Sequence, residues 1–140
     1  MKFLKHNKII ITVLIVVLLG ALYFINTNTS TPVELNPNVT INSPKVNALV
    51  SSPLTVTGEA SGWYFEGSFP VTLLDANGKI LVQFYATAQG DWMTSDFVPF
   101  ISKLTFPKPT TDTGTLVLMK DNPSGLPEND DSIEIPIIIQ

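Results

Sequence analysis

The chain has 140 residues, with eight lysines, no arginine, 12 acidic residues, one histidine and a formal net charge of −4. That length allows one modest domain beyond any leader segment. The acidic balance excludes a nucleic-acid partner, which needs a basic surface. The absence of cysteine excludes a disulfide framework, a thiol nucleophile, a lipoprotein cysteine and thiolate metal sites.

Residues 9–25 are apolar except for Thr12, Gly20 and Tyr23. Lys2, Lys5, His6 and Lys8 precede this run, while all 12 acidic residues and the other five lysines follow it. Seventeen residues span roughly 25 Å at about 1.5 Å per residue, enough for a thin bilayer. The lysines place the N-terminus in the cytoplasm, and Tyr23 and Phe24 suit the outer interface. A cleaved signal peptide has a core of about 7–15 residues ending at a small-x-small site. This run is longer and ends Gly20-Ala21-Leu22-Tyr23-Phe24-Ile25-Asn26 without one. The reading is a single-pass signal anchor over 9–25, residues 1–8 in the cytoplasm and the rest extracytoplasmic. With His6 on the inner side, the outer part lacks the usual general base and zinc ligand.

Residues 26–38 are polar, carry Pro32 and Pro37, and read as a flexible linker. From residue 39 to 140 no helical periodicity is sustained; short β-branched and aromatic runs alternate with Gly, Pro, Asn and Asp. Strands are expected at 39–42, 54–59 and 69–75, with Leu54 and Val56 on one face and Phe69, Val71 and Leu73 on another. Asp75-Ala76-Asn77-Gly78 is a tight turn. It leads to a strand over 79–88 with Ile80, Val82 and Phe84 sharing a face. A strand over 92–101 would bury Trp92, Phe97 and Phe100. Strands at 115–120 and 133–139 follow, the last with Ile133, Ile135, Ile137 and Ile139 on one face. Pro136 lacks an N–H and belongs at an edge or a bulge. About seven strands in roughly 100 residues point to an all-β, immunoglobulin-like two-sheet sandwich preceded by one transmembrane helix.

Three segments carry a resemblance: Gly58-Glu59-Ala60-Ser61-Gly62-Trp63-Tyr64-Phe65-Glu66-Gly67-Ser68-Phe69-Pro70, Trp92-Met93-Thr94-Ser95-Asp96-Phe97-Val98-Pro99-Phe100 and Asp121-Asn122-Pro123-Ser124-Gly125-Leu126-Pro127-Glu128. In this order they resemble the immunoglobulin-like domain of bacterial spore germination proteins, often found beside a GerMN domain. The resemblance spans about residues 40–138. It implies an extracytoplasmic β-sandwich in the bacterial cell envelope, linked to sporulation or germination and without catalytic residues. No GerMN domain accompanies it in this sequence, so the expectation is a lone module behind a membrane anchor.

Candidate binding residues follow from side-chain chemistry. Trp63, Tyr64 and Phe65 with Glu66 form a candidate glycan platform: aromatic faces for sugar C–H groups and a carboxylate for hydroxyls. The competing reading is that the aromatics close one end of the core and Glu66 accepts backbone N–H groups. Asp121, Asn122, Glu128, Asp130 and Asp131 cluster around a Pro-Ser-Gly loop, an oxygen-rich loop that could hold Ca²⁺, and Asn122, Ser124 and Glu128 are its candidate binding residues. The loop lacks the D-x-[DN]-x-[DN]-G order, and Asn-Pro-Ser-Gly is ordinary turn chemistry. Ser124 lacks the G-x-S-x-G frame and a histidine partner. Asp130 and Asp131, adjacent on a strand, would point to opposite faces and not converge on a glycosidic bond. The chain therefore reads as a non-enzymatic, membrane-anchored interaction module with no cofactor or metal. Its partner is a cell-envelope protein or, as the alternative, cell-wall glycan (peptidoglycan).

Overall fold

The computed structural model describes residues 36–140. The expected cytoplasmic segment, the anchor over 9–25 and most of the linker lie outside the described residues. Among the described residues no helix is long and apolar enough to cross a membrane. The last linker residues are tied to the domain: the Asn36 side chain donates to Asp131 Oδ1 at 2.8 Å, and Ser61 N–H donates to Asn38 O at 2.9 Å.

The domain is all-β. Its strands are β1 (Val39–Ser43), β2 (Leu49–Val50), β3 (Leu54–Ala60), β4 (Ser68–Asp75), β5 (Ile80–Ala88), β6 (Val98–Leu104), β7 (Thr113–Met119) and β8 (Ser132–Ile139). They form one hydrogen-bonded series, β1-β3-β6-β5-β4-β7-β8-β2. The series folds back on itself between β6 and β5, which pair only at Thr87–Ile101 and Ala88–Phe100. Beyond that point the two strands diverge, so Phe69 of β4 reaches Phe100 of β6 with ring centroids 5.0 Å apart, although β5 lies between them in the series. The two halves thus close on one core that includes Val56, Phe69, Leu73, Phe100, Leu104, Leu116 and Ile137.

The strands form where alternation meets this core. In β3, β6 and β7 every second residue is buried, the period expected of strands with one face inside. The isoleucine face of β8 is buried from Ile135 to Ile139, with Ile133 packed beside it. Pro136 O accepts from Asn47 N–H at 2.8 Å. A strand residue points its N–H and C=O the same way, so the side on which Pro136 lacks a donor faces the 44–48 loop rather than the β7 ladder.

Two strand expectations need correction, and one strand was not expected. A register shift at Leu73/Leu74 leaves Leu81 as an extra residue opposite β4, so Val82 pairs with Leu73 while Ile80 pairs with Leu74. Leu73 is buried and Leu74 faces outward. Ile80 therefore lies on the face opposite Val82 and Phe84, because one extra residue inverts the alternation. The strand expected over 92–101 starts only at Val98 and runs on to Leu104. Of its three aromatics only Phe100 is in the core; Phe97 is exposed and Trp92 half-buried. Finally, β2 escaped notice because two residues carry no readable period; they pair in parallel with Ile138 and Ile139.

Gly58 is fixed by close approach. A Cβ there would lie 2.1 Å from Thr40 O and 2.7 Å from the Phe100 ring. Gly58→Ala should therefore lower the unfolding free energy by about 1–3 kcal/mol through overpacking. Denaturant titration checks this; a loss below about 0.5 kcal/mol, the scale of a neutral surface change, would show that β1 and β3 can separate cheaply.

Candidate functional site

The three motif segments, distant in sequence, are joined at one end of the domain. Ser61 Oγ donates to Ser95 O at 2.8 Å, Tyr64 Oη donates to Val98 O at 2.6 Å, and Asp121 N–H donates to Trp63 O at 3.0 Å. Trp92 lies over the backbone of Gly67, where an added Cβ would stand 3.3 Å from Trp92 Cδ1 and Nε1.

Trp63 is 1% exposed and meets Phe69 edge to face, with centroids 5.6 Å apart and planes at 82°. This placement removes Trp63 from any open sugar-binding platform. Its role is to close the core, the competing reading of its sequence position. Its Nε1–H is the one buried side-chain polar atom among the described residues without a protein partner. Such a group costs on the order of 1–3 kcal/mol, so the large apolar area of the indole outweighs its unpaired donor.

Tyr64 is half-buried beside Phe69, with centroids 5.3 Å apart, and spends its hydroxyl on Val98 O. Burial pushes the phenol up to about 12, with Glu59 adding repulsion and the Ala60 backbone opposing. Glu66 is exposed. It and Gly67 occupy a two-residue hairpin turn at φ 50° and 76°, closed by Phe65 N–H to Ser68 O at 3.0 Å and Ser68 N–H to Phe65 O at 3.1 Å. Positive φ at both central residues suits this turn, at a cost of roughly 1–2 kcal/mol for the non-glycine Glu66. Among the described residues the Glu66 carboxylate accepts no hydrogen bond. The expected backbone-acceptor role belongs instead to Asp75, which is buried and takes Asn77 N–H and Lys79 N–H, each at 2.9 Å.

Polar groups of the 121–131 loop are largely spent on the loop itself. Asn122 Nδ2 donates to Leu126 O at 2.8 Å and Asp130 Oδ1 at 2.7 Å. Ser124 Oγ donates to Asn122 Oδ1 and accepts from Asn129 Nδ2 at 3.0 Å. Glu128 is exposed in a single-turn 3-10 helix, Pro127–Asn129. Among the described residues no group of three or more acidic or histidine side chains is placed to hold a metal ion.

This end exposes the apolar side chains of Phe65, Met93, Phe97 and Leu126; of these, the sequence pointed only to Phe65, as part of the aromatic run 63–65. Met93 is 76% exposed. Each lies in one of the three joined segments, and the available signal was a large apolar residue inside a turn-rich stretch.

The family model for the immunoglobulin-like domain of bacterial spore germination matches residues 38–126, and the chain belongs to that family. No curated protein matches it. Among solved structures, the crystal structure of CopC from Methylosinus trichosporium OB3b is similar at a TM-score of 0.44 and 14% identity, over 73% of this chain and 93% of that one.

The raised Tyr64 pKa carries a sign. The folded state holds this proton more tightly than the unfolded chain, so its contribution is intact below about pH 10 and is lost as pH rises toward about 12. Tyr64→Phe should start less stable at neutral pH, by about 1 kcal/mol for the orphaned Val98 carbonyl. It should also show a shallower alkaline decline than the parent over that window. Chemical denaturation at stepped pH reads both; parallel declines would mean that the phenol titrates as if exposed.

Proposed function

We propose that this member of the immunoglobulin-like spore germination family is a non-enzymatic recognition module. A single anchor over 9–25 holds it outside the cytoplasmic membrane, and it binds another protein of the bacterial cell envelope through the loop end that the three motif segments build. Family membership supports a sandwich of immunoglobulin type and a setting in sporulation or germination. The anchor reading rests on the apolar run 9–25 and the lysines before it.

The observation that carries the proposal is the pairing of a locked frame with exposed apolar side chains. Hydrogen bonds from Ser61, Tyr64 and Asp121 hold the segments together, and Phe65, Met93, Phe97 and Leu126 project from them. Large apolar groups on rigid loops lose little entropy on binding and remove apolar area from water, as at the centre of protein interfaces. Glycan binding is the weaker reading. Trp63 is buried and the Tyr64 hydroxyl is occupied, which leaves Phe65 beside Glu66 as the one exposed aromatic of the platform.

The test places a photo-crosslinking residue at Met93 of the full chain in living cells. The expected outcome is one discrete adduct with an envelope protein, abolished by Phe65→Asp and Leu126→Asp together in a chain that still folds. The same chain should not co-sediment with isolated peptidoglycan. An adduct indifferent to both aspartates, or retention on peptidoglycan, would contradict protein recognition at this end.

A further inference from the structure

Charge is segregated between the two ends of the domain. The three loops of the recognition end, 61–67, 89–97 and 120–131, hold seven acidic residues and one lysine. The loops of the opposite end are 44–53, 76–79 and 105–112. Ala76 N–H donates to Thr111 Oγ1 at 3.2 Å and Phe106 N–H to Ser52 Oγ at 3.0 Å, which joins them. They carry three lysines, Lys45, Lys79 and Lys108, and one acidic residue, Asp112.

At the recognition end the charge stands beside the exposed apolar side chains. Glu66 follows Phe65 and Asp96 precedes Phe97; Asp91 is two residues before Met93, and Glu128 two after Leu126. All four carboxylates are exposed. Asp91 accepts from Met93 N–H at 3.1 Å, which sets that carboxylate against the base of the Met93 side chain. The side-chain hydrogen bonds that lock these loops are made by Ser61, Tyr64, Asn122, Ser124 and Asn129. The charge of Glu66, Asp96 and Glu128 is therefore left for whatever meets this end.

We propose that the envelope protein recognised here presents a lysine- or arginine-rich surface with apolar recesses between its cations. This deepens the loop-end reading and rests on it. The partner's chemistry follows from complementarity. Each apolar side chain arrives with a carboxylate beside it, so a recess that takes Phe65 or Leu126 brings its own rim against Glu66 or Glu128. An acidic rim would be repelled and a neutral one would strip water from the carboxylates without pairing them; a cationic rim pairs them. The carboxylates of the free end also repel one another, and a cationic partner relieves that repulsion. Anionic lipid headgroups carry the wrong sign. A bare metal ion would leave the four apolar side chains in water, and among the described residues no group of three or more acidic or histidine side chains is placed to hold one. Burial of the apolar side chains supplies affinity, while the carboxylates steer the approach and fix its register.

Membrane fragments carrying the full chain with the photo-crosslinking residue at Met93 test this at controlled ionic strength. Adduct yield should fall about tenfold from about 0.1 M to about 1 M NaCl, where the screening length shrinks from roughly 10 Å to 3 Å. Asp96→Lys with Glu128→Lys should lower the yield about tenfold at the lower salt and abolish its salt dependence. Their exposure should leave the melting temperature unchanged. Asp96→Asn with Glu128→Gln should fall between this pair and the parent. Lys108→Glu, at the opposite end, should crosslink as the parent does. The partner segment recovered from the adduct should be rich in lysine or arginine. A parent adduct that salt leaves unchanged or strengthens, or one that survives both reversals, would overturn the basic partner while loop-end recognition stands. So would a loss of yield in Lys108→Glu as large as in the double reversal, since net charge rather than this end would then govern. No adduct at either ionic strength would sink loop-end recognition itself, and this proposal with it.

Discussion

The structure depends on the aromatic junction where Trp63 meets Phe69 edge to face and Phe69 in turn meets Phe100. Phe69 opens β4, Phe100 belongs to β6, and Trp63 precedes the turn between β3 and β4. One cluster therefore ties both halves of the folded sheet to the loop that crosses between them. Aromatic pairs in this geometry gain roughly 0.5–1.5 kcal/mol beyond their buried area. The hydrogen bonds around the cluster are arranged by it: Trp63 O can receive Asp121 N–H, and Tyr64 can reach Val98 O, because the indole and phenol rings are seated against Phe69.

This explains why the three family segments stand where they do. They are far apart in sequence yet form one structural unit, and most of their polar groups are used in joining it. Asn122 and Ser124 stiffen their own loop, and Glu66 serves a turn. What the frame does not consume is left at the surface: the apolar side chains of Phe65, Met93, Phe97 and Leu126.

Much of the fold was legible because alternation is strong wherever a strand lines the core. Leu54 with Val56, Phe69 with Val71 and Leu73, and the isoleucines of β8 all fall on the side their period indicates. Asp75–Gly78 forms the turn that its Asn-Gly pair predicts. The misreadings share a physical cause. An extra residue at Leu81 changes which face Ile80 occupies without altering composition, and only the β4 register exposes it. Trp92 and Phe97 looked like core because they are large and apolar; in fact Gly90, Asp91 and Asp96 flank them and the chain stays irregular until Val98. At the site, sequence placed the right segments but not the right atoms. Exposure of Trp63 is decided by Phe69 and the rest of the core it joins, and no local pattern reports that. Asp75, the buried acceptor, was read only as a turn residue because a carboxylate's partners are tertiary information.

The Trp63 side chain holds the three segments as one unit through its seat against Phe69. Native-state hydrogen exchange in Trp63→Leu compared with the parent tests it most directly. The substitution keeps the Trp63 carbonyl but removes the indole, so the account predicts a large loss of protection at the Asp121 amide. The Gly78 amide, bonded within the distant Asp75 turn, should stay protected as long as the domain folds. An Asp121 amide as protected in Trp63→Leu as in the parent would show that the segments hold together without the indole, and would contradict the account.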